Sequence, residues 1–498
     1  MTTKIRVPGG VPARLDDGFE RIRREQKLPE DFPEAVLAEA AQVAEAPREP
    51  RDLSELPFVT IDPPGSMDLD QAVHLERLRG GYRVWYAIAD VAAFVRPGGA
   101  IDAEALARGE TVYMPDGKMP LHPKVLSEGA ASLLPGAVRP AAVWRIDLDA
   151  EGRTVGSDVH RALVRSRERL DYEYVQAAVD TGTADGTLGL LAEIGRLRLE
   201  LERARGGVTL PTPEQEVVPD SGTVRHAPES GQDSGTIHLP DAGAANGAGY
   251  RLEYRVPVPA EAWNAQISLL TGMAAASMML DAEIGVLRVL PPPRPSELAK
   301  VRRVAAALEV PWPDGASYGA VVHDLDPKNP RHAAFLHESK VLLRGAGYVA
   351  FNGEPPPLAD HAAVAAPYAH VTAPLRRLVD RYATEVCLAI AAGEPVPEAV
   401  EAVLPGLPDI MSSSGRRAGA VERACVDLVE AFLLRERIGQ AFEAMVIDTD
   451  DKGDGGQVQV TDPAVIARCD GRLPLGERIT VRLTQADPAT REVRFSLA

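Results

Sequence analysis

Three aspartates in a short, turn-rich segment are the residues of this sequence best suited to metal chemistry. Asp62 is followed by Pro-Pro-Gly, and Asp68 and Asp70 come shortly after it, separated by one leucine. Pro-Pro-Gly predicts a tight turn, and an extended chain beyond it would place Asp68 and Asp70 on one face. Carboxylates this close repel one another unless a cation lies among them. Oxygen-only ligands favour a hard ion, Mg²⁺ or Mn²⁺, which activates water and stabilises the oxyanions of phosphodiester cleavage.

The simpler alternative is an exposed acidic turn whose aspartates only cap loops. The segment from Tyr82 to Val91 alternates like a half-buried strand, and it would pack behind the acidic segment in a core sheet. A solvated loop does not belong there. The sequence therefore favours a site, and the surface turn stays open as the alternative.

Several elements surround this segment. The first fifty residues predict two short helices, either a helix-turn-helix that contacts nucleic acid or, as the favoured interpretation, a packing arm. Helices are also predicted for Thr187 to Arg205 and Trp263 to Leu280, and a strand for Arg251 to Val256. The stretch 221–249, rich in Gly, Ser, Asp and Ala, predicts a long surface loop. In residues 439–498, a small β-barrel is predicted from four short alternating segments: Ala441 to Ile447, Gly456 to Val460, Arg478 to Leu483 and Glu492 to Leu497.

Composition limits the class of protein. A chain of 498 residues with 45% hydrophobic and 25% charged residues is typical of a globular protein of two or three domains. Apolar runs of membrane-spanning length and the apolar core of a secretion signal are both lacking. The cysteines are three and far apart, which indicates neither a disulfide framework nor a CxxC metal site. We expect a cytoplasmic monomer without a membrane partner.

The net charge of −18 by itself argues against a nucleic-acid partner, because phosphate binding usually needs a basic surface. An enzyme that draws one strand into a channel, however, needs only local basic patches. Metal-binding carboxylates also add to the acidic count.

Four motifs, in order, resemble the ribonuclease II and ribonuclease R family of 3′-to-5′ exoribonucleases. They are TIDPPGSMDLDQA, YAIADVAAFVRPGGAIDAEALARGETVYMPDGKMPLHPKVLSEGAASLLPG, YAHVTAPLRR and the AVER of residues 420–423. The resemblance implies an α+β fold with a mixed sheet surrounded by helices. It implies three parts: a small helical region at 1–50, an RNB catalytic domain at 51–436 and an S1-type OB barrel at 437–498. About fifty residues are too few for the two cold-shock domains that usually precede the catalytic domain.

The resemblance also implies roles for individual residues. Asp62, Asp68 and Asp70 would bind the metal ions, and Gln71 would be a weaker ligand where the family has a second adjacent aspartate. Arg376 would hold the scissile phosphate, and Arg377 would assist it. Catalytic roles are thus expected for Asp70, Arg376 and Glu422, and RNA-binding roles for Tyr113, Tyr172, Arg376 and Arg377. The structural alternatives are an exposed helix start for the arginines, an ion pair for Glu422 and core packing for the tyrosines.

The expected function is hydrolytic 3′-to-5′ degradation of single-stranded RNA to nucleoside 5′-monophosphates, with Mg²⁺ (or Mn²⁺) as cofactor and poor activity on structured RNA. Two departures weaken the pattern: Gln71 follows Asp70, and Asn264 stands where the family usually has a glutamate. They support the alternative of a catalytically weakened RNA-binding protein of the same family.

Overall fold

The structure is a computed structural model that describes residues 13–29, 31–42, 51–219, 250–450 and 453–498. The surface loop predicted at 221–249 lies outside the described residues. None of the helices within the described ranges is both long and apolar enough to cross a membrane.

Helices and strands are interspersed along the described chain. The helices are α1 (Ala13–Glu25), α2 (Glu34–Gln42), α3 (Ala100–Arg108), α4 (Tyr172–Asp180), α5 (Gly186–Arg205), α6 (Pro259–Asp281), α7 (Pro295–Ala307), α8 (Tyr318–His323), α9 (Pro330–Ser339), α10 (Leu378–Ala392), α11 (Glu398–Glu401) and α12 (Leu407–Leu434). The strands are β1 (Phe58–Ile61), β2 (Gln71–Leu78), β3 (Gly81–Ala89), β4 (Val112–Met114), β5 (Gly117–Met119), β6 (Val138–Asp149), β7 (Thr154–Leu170), β8 (Glu214–Pro219), β9 (Tyr250–Arg255), β10 (Ile284–Val289), β11 (Gly347–Asn352), β12 (Asp360–His361), β13 (Ala366–Pro367), β14 (Ala441–Thr449), β15 (Gly455–Val460), β16 (Val465–Asp470), β17 (Arg478–Asp487) and β18 (Glu492–Leu497).

The larger domain is organised around a closed barrel of β1, β2, β3, β6 and β7. All its pairs are antiparallel except β1 with β7, which run parallel. The predicted mixed sheet is therefore confirmed, while its closure into a barrel is a feature that strand patterns alone did not show. Strand β3 is buried along most of its length. Tyr86 and Ile88 belong to a core with α6 and α10, and Ala87 and Ala89 belong to a second core with Phe94.

The two N-terminal helices use their apolar faces for packing. Phe19 and Ile22 of α1 are fully buried, in a core that includes Leu428 of α12 and residues of the C-terminal barrel. Val36 and Ala40 of α2 are buried in the core that contains Phe94. A contact of these helices with nucleic acid stays a prediction, as do the domain limits at 50 and 436.

The C-terminal barrel consists of β14, β15, β16, β18 and β17 in that order around the wall. Its interior includes Phe442, Val481 and Phe495, with the two phenylalanine rings edge to face at 5.8 Å. The predicted barrel is thus confirmed, with one strand more than the sequence indicated, β16. The hairpin of β8 and β9 ties the barrel to α12, since the Gln215 amide donates to Ala464 O and to Glu430 Oε1, each at 2.7 Å.

Candidate active site

The three aspartates lie on one loop, residues 62–70, which joins β1 to β2 and is called the aspartate loop below. Its turn forms as predicted: Ser66 N donates to Pro63 O at 3.2 Å, and Gly65 has φ +81. This is the geometry of a type II turn, in which the third residue must tolerate positive φ. Ser132 holds the far side of the loop, because its hydroxyl donates to Met67 O (2.6 Å) and accepts from Leu69 N (3.0 Å).

The predicted arginine element meets this loop. Residues 372–377, called the arginine loop, precede α10, and Leu375 N donates to Asp70 Oδ1 at 2.7 Å. Arg376 Nε lies 3.1 Å from the other oxygen of the same carboxylate. Asp70 is 3% exposed, whereas the Arg376 side chain is 41% exposed. The buried Asp70 carboxylate thus holds the Arg376 guanidinium, and the outer part of the Arg376 side chain faces solvent. The fold brings together residues 305 positions apart.

A third segment also contacts the aspartate loop. Strands β4 and β5 form a hairpin in which Tyr113 lies directly opposite Lys118. The Tyr113 hydroxyl donates to Asp68 Oδ2 at 3.2 Å, and the residue as a whole is 47% exposed. Lys118 Nζ lies 2.7 Å from Asp68 Oδ1 and 3.0 Å from Glu128 Oε1. Both oxygens of Asp68 therefore have partners within the protein.

Gln71 and Asn264, the two positions that depart from the family pattern, both have side-chain amides that make contacts next to the aspartate loop. Gln71 Oε1 accepts from the Tyr86 hydroxyl at 2.7 Å, and Gln71 Nε2 donates to Thr372 O at 2.5 Å. Asn264 Nδ2 lies 3.5 Å from both Ile61 O and the Tyr172 hydroxyl. The Gln71 amide thus connects Tyr86 on strand β3 to Thr372 in the arginine loop. Its predicted role as a metal ligand stays a prediction.

Three predicted residues remain to be placed: Tyr172, Arg377 and Glu422. Tyr172 begins α4 and is half-buried beside Asn264, and the negative charge of Asp62 acts on its hydroxyl group. Arg377 makes a two-pronged pair with Asp380, at 2.9 and 2.8 Å, so its charge is already engaged inside the protein. Glu422 lies on α12 near Lys340; burial lowers the pKa of Lys340, and the negative charge of Glu422 opposes that lowering without reversing it. The RNA-binding roles expected of Tyr172 and Arg377 and the catalytic role expected of Glu422 stay predictions.

Burial dominates the electrostatics of the aspartate loop. Loss of solvent raises the pKa of Asp62 from 3.8 to about 6, although Arg376 acts in the opposite direction. Burial likewise raises the pKa of Asp70 to about 7, against the lowering effects of Arg376 and of the hydrogen bond from Leu375. Two carboxylates are therefore held where their negative charge is poorly compensated, an arrangement that is common at functional sites.

This donor set fits a hard divalent ion. Carboxylate oxygens are its preferred ligands, and a cation would relieve the uncompensated charge of Asp62 and Asp70. Across the described ranges, however, the structure shows no group of three or more Asp, Glu, His or Cys side chains arranged to hold a metal. Mg²⁺ is often held by one or two carboxylates together with substrate phosphates and water, and such a site does not need three.

One residue of this region, Lys118, was missed from the sequence. The antiparallel pairing of β4 with β5 places it opposite Tyr113, and its Nζ reaches Asp68. The register of this hairpin is what identifies it, and the sequence alone did not predict that register.

The fold contains two closed barrels. The larger one carries the aspartate loop in contact with Arg376, and the smaller C-terminal one is of the OB type. Residues 50–390 match the family described as the RNB domain, and residues 440–498 match the RNase II-type exonuclease C-terminal S1 domain. The chain belongs to the RNB family, and its two matched domains are those of the ribonuclease II and ribonuclease R type.

Relatives and solved structures agree with this assignment. Escherichia coli ribonuclease R is 26% identical over 534 residues, a match that covers 95% of this chain and 61% of that relative. Mycoplasma genitalium RNase R, solved in complex with ribose methylated single-stranded RNA, superposes with a TM-score of 0.82 at 19% identity, covering all of this chain and 85% of that one. Yeast Ssd1, described as a pseudonuclease, superposes with a TM-score of 0.70 at 17% identity over 96% of this chain and 57% of its own. At these identities the structural likenesses establish the fold.

Proposed function

We propose that this chain is a hydrolytic exoribonuclease that shortens single-stranded RNA from its 3′ end and releases nucleoside 5′-monophosphates. Its membership of the RNB family and its likeness to ribonuclease R support the reaction class. Because the chain spans 61% of the Escherichia coli relative, that protein's activity is taken here as a proposal for this chain. A cytoplasmic, monomeric protein stays the expectation.

The observation that carries the proposal is the contact between Asp70 and Arg376. A buried carboxylate with a pKa of about 7 lies 3.1 Å from an arginine whose outer part is exposed. Metal-assisted phosphodiester cleavage uses both kinds of group: carboxylates near the cation and a fork of donors that matches phosphate oxygens. The two loops that supply them are joined by the Leu375–Asp70 hydrogen bond, so the pair is preorganised.

Each side chain then has a definite task. Arg376 binds the scissile phosphate and stabilises the charge that develops on its oxygens during cleavage. Asp70 orients Arg376 through its second oxygen while its first is held by Leu375. Tyr113 offers an exposed ring on which a base near the 3′ end can stack, and stacking accepts any base.

A divalent cation at the aspartate loop would supply an activated water and neutralise phosphate charge. The residues that would hold it belong to the set Asp62, Asp68 and Asp70. Mg²⁺ is the expected ion, with Mn²⁺ as a substitute, because the ligands are carboxylate oxygens.

The test is digestion of a 5′-labelled single-stranded RNA by the full chain with Mg²⁺, with and without a chelator. We expect progressive shortening from the 3′ end, nucleoside 5′-monophosphates as products, and no digestion in the chelator. Internal fragments, chelator-resistant digestion or equal cleavage of a DNA strand would contradict the proposal. A series of duplexes with 3′ overhangs tests the expected preference, since digestion through a stable stem would exclude it.

A second candidate is an RNA-binding protein of the same family without turnover. The amides at Gln71 and Asn264 favour it, as does the structural likeness to Ssd1, described as a pseudonuclease. Such a protein would retain the labelled strand in a gel-shift experiment and leave it uncut at every Mg²⁺ and Mn²⁺ concentration. We prefer the enzyme because Asp70 and Arg376 are both present and lie in contact.

A further inference from the structure

Gln71 is the central member of a hydrogen-bond chain that the proposed reaction does not explain. The Tyr86 hydroxyl lies 2.7 Å from Gln71 Oε1 and 2.8 Å from Ser268 Oγ. Gln71 Nε2 in turn donates to Thr372 O at 2.5 Å. The chain of hydrogen bonds thus runs from helix α6 through strands β3 and β2 to the first residue of the arginine loop.

The direction of these hydrogen bonds is fixed by the last member. Thr372 is 4% exposed, and its carbonyl oxygen can only accept, so position 71 must supply a donor. Gln71 does so with its nitrogen, which leaves its oxygen to accept from Tyr86. Burial raises the pKa of the Tyr86 hydroxyl above its ordinary value, so this group keeps its proton and remains a donor.

An aspartate, which the family pattern has at position 71, does not fit this arrangement. An ionised carboxylate offers acceptors only, and it would place its negative charge against the negative end of the Thr372 carbonyl. A buried acceptor that loses its donor is costly to the fold. The arginine loop of this chain therefore presents a carbonyl that suits an amide.

The peptide group between Thr372 and Ala373 is held on both sides. Gln71 donates to its carbonyl, and its N–H, that of Ala373, donates to Asp380 Oδ1 at 2.7 Å. The next carbonyl, Ala373 O, accepts from Arg376 N at 3.1 Å. The turn that carries Arg376 therefore starts from a fixed peptide plane.

Asp70 and Gln71, two consecutive residues, hold the arginine loop at two separate points. Asp70 contacts its far part, through Leu375 N and Arg376 Nε, whereas Gln71 contacts its first residue. Fixing both points limits how far Arg376 can shift. A shift of about 1 Å in a group that stabilises a transition state can cost about 10²-fold in rate.

We propose that Gln71 is a positioning residue, which orients the arginine loop and through it Arg376, and that this chain is adapted to an amide at position 71. The inference rests on the proposed function, since Arg376 acts there on the scissile phosphate. Restoring the aspartate of the family pattern should therefore weaken this protein. The metal-ligand role implied by the family resemblance predicts the opposite, because a carboxylate is the stronger ligand.

The experiment is a double-mutant cycle between Gln71→Met and Arg376→Lys in the full chain. It measures the single-turnover cleavage rate of a 5′-labelled single-stranded RNA with Mg²⁺. Gln71→Met keeps the length of the side chain and removes the donor, so the rate should fall about tenfold or more. In the Arg376→Lys background the same change should cost less than about threefold, because its effect passes through Arg376. Gln71→Asp should be about tenfold slower than the wild type at every Mg²⁺ concentration.

Gln215→Met is the matched control. The Gln215 amide is also buried and makes two hydrogen bonds, but it lies at the C-terminal barrel. Any effect of Gln215→Met should be the same factor in the wild type and in the Arg376→Lys background, since distant sites act independently.

A second variant makes the test independent of the stability of Gln71→Met. Tyr86→Phe removes the donor to Gln71 Oε1 and leaves the amide free to turn away from Thr372. It should slow cleavage by at least about threefold, and this loss should also disappear in the Arg376→Lys background.

Three results would overturn the proposal. Equal losses for Gln71→Met in the two backgrounds, or no loss at all, would show that Gln71 does not act through Arg376. A Gln71→Asp variant that cleaves faster than the wild type would show a metal-ligand role. So would a Gln71→Met variant whose lost rate returns at high Mg²⁺.

Binding of the same RNA in a chelator separates this inference from the proposed function. There Gln71→Met and Arg376→Lys should each weaken the complex by about three- to tenfold, and the double variant should bind no more weakly than Arg376→Lys. A wild type that binds RNA without cutting it argues against the enzyme, and additive losses of binding then reject the role of Gln71. A wild type that cuts RNA, with additive losses of rate, argues only against the role of Gln71.

Discussion

Replacing Asp70 by asparagine should abolish turnover and, at the same time, stabilise the metal-free protein by an amount that grows as pH rises from 3.8 to about 7. The asparagine side chain keeps an oxygen that can accept the hydrogen bond from Leu375 N, but the substitution removes a negative charge from a site that is 3% exposed. The stabilisation follows from the pKa of Asp70. A group whose folded pKa lies above its unfolded value favours the folded state at low pH, and this contribution is lost as pH rises.

The size of this stabilisation follows from the pKa of the Asp70 carboxyl. Its pKa rises from 3.8 to about 7 on folding, which corresponds to about 4 kcal/mol at roughly 1.4 kcal/mol per pH unit. The favourable effects of Arg376 and Leu375 are already contained in this rise, because both lower the pKa. The advantage of Asp70→Asn over the wild type should be about 2 kcal/mol near pH 5 and reach about 4 kcal/mol, as an upper value, near pH 8.

Urea unfolding of both proteins in a chelator, across this pH range, measures the difference. Asp68→Asn is the matched control: Asp68 is paired with Lys118, so its replacement should not stabilise the protein at any pH. Added Mg²⁺ should reverse the order by stabilising the wild type, since a ligand that binds only the folded state raises its stability. The reasoning is refuted if Asp70→Asn is no more stable than the wild type near pH 8 in the chelator.

Three further predictions follow from other contacts. Arg376→Lys should lower single-turnover cleavage by about 10²–10³-fold, because a lysine cannot offer two parallel donors to phosphate; an unchanged rate would show that Arg376 does not contact the scissile phosphate. Asp102→Ala should cost about 3–5 kcal/mol in urea unfolding, because Asp102 pairs with buried Arg381 and accepts from Gly98 N (2.8 Å) and the Tyr382 hydroxyl (3.0 Å). As its control, Asp147→Ala removes only the partly exposed pair with Arg83 and should cost about 1 kcal/mol or less. Burial raises the pKa of Glu430 from 4.5 to about 8, so any stability that this carboxyl contributes is present at low pH and declines as pH rises from about 4.5 through 8; Glu430→Gln should therefore gain on the wild type with rising pH in urea melts, and a constant difference would contradict the shift.

Local patterns account for the elements that the sequence predicted correctly. Alternation predicted β3 and most of the C-terminal strands, because successive side chains of a strand point to opposite faces. The expected half-burial of β3 was wrong, since one core packs on each of its faces and most of the strand is buried. Pro-Pro-Gly predicted the turn at Gly65, because positive φ at the third position of such a turn selects glycine. Helix α5 followed from a long charged run of helix-forming residues, and α6 followed from a long apolar run. The missed strand β16 is six residues long and lies between other short strands, where boundaries are hard to assign.

The sequence by itself determined the chemistry available: three aspartates on a bend, a pair of arginines after a proline, and the amides at Gln71 and Asn264 that depart from the family pattern. Tertiary structure alone decided which of these meet. Parallel pairing of β1 with β7 closes the barrel, Asp70 meets Arg376 through a loop 305 positions away, and Lys118 joins Asp68 because β4 and β5 pair in one register. Contacts between distant segments depend on how whole elements pack, and such packing leaves no periodic signal in the residues that eventually touch.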